Sequence, residues 1–107
     1  MKKVKITVLK TEFYPELADR YLTEGRAAGP CPIHTPGQVF LYEGGAQMPE
    51  GFCPWAWIDL YRAISAYSLG AENDWYKPGV SIECCTDGVR PVIYELAVLD
   101  EDAQTLS

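Results

Sequence analysis

The sequence predicts a single small α+β domain: a mostly antiparallel sheet with a C-terminal hairpin, one long helix and one short helix. Three observations carry that reading. Near the start, Val4, Ile6 and Val8 alternate with Lys3, Lys5 and Thr7, the period of a half-buried strand. A sustained helical pattern opens at Pro54 and runs to Gly70. Two strand-like runs then flank Asp87-Gly88, a dipeptide favoured in tight hairpin turns. A chain of 107 residues with 48% apolar content can bury an ordinary core as one domain. Residues 1–99 are assigned to that domain, and the acidic residues 100–107 are expected to form a flexible tail.

Each element has its own signal. Lys2, Lys3, Lys5 and Lys10 cluster along the first strand and read as a solvated face that also protects a sheet edge. Pro15 suits a first helical position, and the short helix after it places Leu17, Tyr21 and Leu22 on one face. From Gly25 to Gly37, three prolines and three glycines predict a loop. Gln38-Val39-Phe40-Leu41-Tyr42 reads as a strand, stopped by Gly44-Gly45. Cys53 then falls at the N-cap of the long helix, with Pro54 at a position where its missing N–H matters least. Trp57, Leu60, Tyr61, Ile64 and Tyr67 trace its buried stripe, with Asp59 and Arg62 outside. Val80 to Cys85 reads as a strand, and Val92 to Leu99 as its return, with Pro91 making that return an edge or a bulge.

Composition narrows the function. A net charge of −6 argues against nucleic acid, which needs a basic surface. No stretch approaches about 18 apolar residues, so no membrane span is read. Met1-Lys2-Lys3 is followed by an alternating strand and not by the apolar core of a signal peptide, so a cytoplasmic protein is expected. Its four cysteines fall below the density of a disulfide scaffold. In a reducing compartment such thiols point to metal or redox chemistry.

Cys31, His34, Cys53 and Cys85 make a three-thiolate, one-imidazole set, chemically suited to tetrahedral zinc and, through the same soft donors, to an iron–sulfur cluster. Cys84 shares the apolar face of Val80 and Ile82 and is expected in the core, whereas Cys85 lies with Ser81 and Glu83 and is the better ligand. The alternative is a thiol- or cluster-dependent redox enzyme acting on a small organic ligand. There Cys53 is the candidate thiolate at a helix N-terminus, His34 its only available base, and Asp59 or Asp87 the orienting acid. Trp55, Trp57 and Trp75 would give such a ligand an aromatic wall. A third reading keeps the thiols as structural filler, with no cofactor, in an adaptor domain that contacts a larger protein or forms a homo-oligomer.

Taken together, Gly29-Pro30-Cys31-Pro32, Gly37-Gln38-Val39-Phe40, the run from Met48 to Trp57 (MPEGFCPWAW) and Cys85-Thr86-Asp87-Gly88-Val89-Arg90-Pro91-Val92 carry a likeness. The chain resembles a family of short prokaryotic proteins of uncharacterised function, seen alone or as repeats and frequent in anaerobes. The likeness spans Val4 to Leu99. It implies cysteines at the positions of Cys31, Cys53 and Cys85 and a small residue in place of Cys84. It implies no reaction.

Overall fold

A computed structural model describes residues 1–103 of the chain. The strands are β1 (Lys2–Thr11), β2 (Val39–Tyr42), β3 (Val80–Cys84) and β4 (Val92–Asp102), and the helices are α1 (Pro15–Tyr21) and α2 (Pro54–Ser68). One four-stranded sheet has the order β2-β1-β4-β3, and every neighbouring pair is antiparallel. The α+β architecture expected from the sequence is therefore present, with the terminal β3–β4 pair as its hairpin. No helix among the described residues is long and apolar enough to cross a membrane.

Alternation in the strands and the stripe of α2 build one core. Val4, Ile6 and Val8 of β1, Tyr42 of β2, and Val92, Tyr94 and Leu96 of β4 meet Ala56, Leu60 and Ile64 of α2, all nearly solvent-free. Trp57, Tyr61 and Tyr67, expected in the helix stripe, are only half-buried and flank it. Pro54 opens α2, and Gly70 closes it at φ 103°, a left-handed conformation that glycine adopts without strain. There the N–H of Gly70 bonds the Tyr67 carbonyl and that of Ala71 bonds the Ala66 carbonyl, so carbonyls of the last turn are satisfied.

Several expectations need correction. β1 is an interior strand, because β4 and β2 flank it on both sides. Its lysines guard no edge: Lys2 pairs with Asp100 and Asp102, and Lys3 with Glu43 and Glu101. The acidic tail does not begin at Asp100, since β4 runs to Asp102 and Lys2 lies opposite that residue. The rest of the expected tail, residues 104–107, lies outside the described residues. In α1 the inward side chain is Ala18, while Leu17 and Tyr21 are exposed. The loop from Gly25 holds one 3₁₀ turn, Gly25–Ala28.

The faces of β3 are the reverse of the expectation. Ser81 is 1% exposed, Ile82 is 41% exposed, and Cys84 is also exposed. Register explains this: Ser81 lies opposite Leu96 and Glu83 opposite Tyr94, both core residues of the longer strand. Paired residues share a face, so Val80, Ile82 and Cys84 must point outward. Asp87-Gly88 makes no two-residue turn either. Seven residues, 85–91, join β3 to β4, and the Asp87 carboxylate folds that loop by accepting the N–H groups of Val89 and Arg90.

Candidate functional site

Three of the four thiols converge on one cavity of about 470 Å³. Cys31 comes from the Pro/Gly loop, Cys53 from the start of α2, and Cys85 from the residue after β3. Cys53 is 7% exposed, while Cys31 and Cys85 are intermediate and border the opening. Cys84 faces the other side of the sheet. Cys85 is thus the better placed of the adjacent pair, because it follows Ser81 and Glu83 onto the core side and packs against the core. Among the described residues, no three His, Cys, Asp or Glu side chains stand together as they would around a metal ion.

His34 is used differently from the expectation. Its Nε2 accepts the backbone N–H of Cys53 at 3.1 Å, so the lone pair that would ligate a metal instead holds the start of α2. The ring is 4% exposed and lies against Phe40, Phe52 and Tyr94, with centroids 5.0, 5.3 and 6.2 Å away. Burial holds the imidazole below its usual range, against weaker upward pulls from the Gln38 side chain and the Ile33 backbone. A neutral ring accepting an amide proton is the state that fits. The bond reaches the amide of Cys53 and not its thiol, so the expected Cys53–His34–acid triad is not assembled. Neither candidate acid orients His34. Asp59 accepts from the N–H and Oγ1 of Thr86 at 2.9 and 3.0 Å, and Asp87 is committed to its own loop.

The aromatic wall reduces to one residue. Trp55 lines the cavity and is 75% exposed. Trp57 packs against Tyr42, Phe52 and Tyr61. Trp75 is exposed beside Tyr76, in the segment between α2 and β3. Sequence reasoning missed Tyr94, a core-face residue of β4 whose side chain also lines the cavity. Burial pushes its phenol well above the ordinary range, and the charges of Cys85, Cys53, Cys31 and Asp59 push it further. Arg90, missed as well, brings a cation to the rim and donates from Nε to Asp87 Oδ2 at 3.2 Å. Its signal was available, since it follows Asp87 by three residues in the loop after Cys85.

Comparison with families, with curated proteins and with solved structures gives no match for this chain.

Proposed function

We propose that the cavity is a three-thiolate site for an inorganic group, a zinc ion or an iron–sulfur cluster, in a cytoplasmic protein. The supporting observation is that Cys31, Cys53 and Cys85, from three separate parts of the chain, all line one cavity. A fully buried thiol is common filler. Cys31 and Cys85 pack against the core but are not fully buried, so their sulfurs border the cavity as well. Thiolates are soft donors that serve both zinc and iron. Since the side chains are not gathered as ligands, binding must draw them together. The Cys31 segment can move most easily, because residues 29–38 carry no helix or strand. The test is iron, zinc and sulfide analysis of anaerobically purified protein, with its visible spectrum. About one zinc ion per chain without visible absorption supports the mononuclear form, and iron with sulfide and broad visible absorption supports the cluster. Folded protein that never met air or chelator and still holds almost no metal overturns the proposal.

The separation of the thiols favours a second reading, in which Cys53 acts alone as the reactive thiolate of a redox enzyme. It stands at the N-terminus of a 15-residue helix, where the dipole stabilises negative charge. Trp55 would then flank a small organic substrate in the cavity. Alkylation of native protein at pH 7 decides: a Cys53 that reacts no faster than a free thiol ends this reading.

A further inference from the structure

We infer that the bare face of the sheet is a dimer interface, on which a second copy of this chain packs about a two-fold axis running along the strands between β1 and β4. α2 packs on the core face of the sheet, while α1 packs chiefly against the 3₁₀ turn. The opposite face is therefore left open among the described residues. Register lays that face out in rows across β2, β1, β4 and β3. One row is Leu41, Lys5, Ala97 and Val80. The next is Val39, Thr7, Glu95 and Ile82. Val39, Leu41 and Ile82 are 55%, 37% and 41% exposed, so the larger apolar side chains stand uncovered on the two outer strands.

Each row is apolar at both ends, which suits an isologous contact, where one patch must complement itself. A two-fold axis along the strands keeps the rows and lays each outer strand on the opposite outer strand of the partner. Val39 then faces the partner's Ile82, and Leu41 faces the partner's Val80. Charge selects this axis. On the open face β1 carries Lys3, Lys5 and Lys10, and β4 carries Glu95 and Glu101. The axis along the strands sets β1 on the partner's β4, so unlike charges meet, whereas an axis across them would set β1 on β1 and lysine against lysine. Among the described residues neither Lys5 nor Glu95 has an ion-pair partner within its own chain. In the dimer they stand one row apart across the interface, about 7 Å along the strand and within reach of a lysine side chain. The area suffices. With strands of 10, 4, 5 and 11 residues, about 3.4 Å per residue and about 4.8 Å apart, each face covers roughly 500 Å² in projection. Two faces at full overlap give about 1,000 Å² before side-chain relief is added, the least that a specific interface needs. Cys84 lies one row beyond Ile82, past the start of the partner's β2 at Val39, and so stays at the rim. The thiol cavity, on the core side, remains open in both copies.

The test is sedimentation equilibrium of the full chain under reducing conditions, at roughly 100 μM, above the micromolar Kd of a weak interface of ordinary size. The wild type should have twice the chain mass. Val39→Asp and Ile82→Lys each place a charge against an apolar neighbour, twice by symmetry, and each should weaken dimerisation by about 30-fold or more. An equal mixture of these two variants should recover a mixed dimer, because the introduced aspartate then faces the introduced lysine while the other Val39–Ile82 contact is native. Ile58→Asp, on the exposed side of α2, should leave the dimer intact. Circular dichroism of every variant should match the wild type; Leu41→Asp mixed with Val80→Lys repeats the test one row away if either first variant is unfolded. A monomeric wild type overturns the inference, whether the open face is then bare or meets another protein. A dimer that survives both single substitutions places the interface elsewhere, at the sheet edges for example, and overturns it too. Folded single variants that are monomeric and form no mixed dimer overturn the proposed superposition.

Discussion

Replacing His34 with Leu should destabilise the fold by about 2 kcal/mol, whether or not a metal is present. The estimate follows from one bond. Nε2 of His34 accepts the Cys53 N–H at 3.1 Å, and the two residues are 4% and 7% exposed. Leucine retains apolar contact with Phe40, Phe52 and Tyr94 and conserves most of the volume, so the packing loss is small. What it removes is the acceptor. A buried amide left without a partner costs about 1–3 kcal/mol, which overlaps the effect of losing a helix cap, about 0.5–2 kcal/mol. These describe the same event and are not summed. Urea unfolding in the presence of chelator reads the effect without metal. With a slope of about 1–2 kcal/mol per molar for a domain of this size, the midpoint should fall by about 1–2 M. His34→Gln, whose amide oxygen can accept the same proton, should recover part of the loss. A midpoint for His34→Leu within about 0.3 M of the wild type would refute the capping role. Destabilisation seen only in metal-loaded protein would make His34 a ligand after all.

Acidification should weaken the fold in two separate windows. The His34 imidazole is held below its usual value near 6.5, so the unfolded chain takes up that proton first as pH falls. Stability should drop from about pH 6.5 downward, by up to about 1.4 kcal/mol per pH unit, until the folded-state value is reached. His34→Gln should flatten this window in a series of melting curves. Asp87 acts in the same direction at lower pH: burial raises its carboxyl, but bonds from Arg90 and Val89 more than offset that and hold it below 3.8. Its contribution is present above about pH 4 and is lost only in stronger acid, and Asp87→Asn should alter that window alone. Alkylation of metal-free native protein with a bulky maleimide, read by peptide mass, should label exposed Cys84 first and Cys53, at 7% exposure, last. Equal labelling of the two would contradict the placement of β3.

The parts legible in the sequence were those fixed by local chemistry. Pro54 and Gly70 punctuate α2, and the alternation of Val4, Ile6 and Val8 specifies the inward face of β1, because no partner strand competes with so consistent a pattern. β3 was misread for the opposite reason. Val80, Ile82 and Cys84 form the more apolar set, yet the inward face is imposed by pairing with Tyr94 and Leu96, and one strand's own composition does not contain that register. Cys85 lines the cavity and Cys84 does not, although one premise behind preferring Cys85, a core position for Cys84, is reversed. Asp87-Gly88 carries a hairpin signal, but here the Asp87 side chain supplies the turn bonds and Gly88 is not among the glycines with positive φ. His34 could not be assigned from spacing, because a Cys-x-x-His segment is equally compatible with a metal ligand and with an acceptor for a helix start nineteen residues away. Tyr94 was invisible as a site residue because it satisfies the strand pattern and lines the cavity at once.

The most direct measurement is the metal content of four single Cys→Ser variants beside the wild type, all purified anaerobically and checked for folding. The account predicts a filled site in the wild type and in Cys84→Ser. It predicts a large loss of metal in each of Cys31→Ser, Cys53→Ser and Cys85→Ser. A wild type without metal, or the same loss in Cys84→Ser as in the other three, would contradict it.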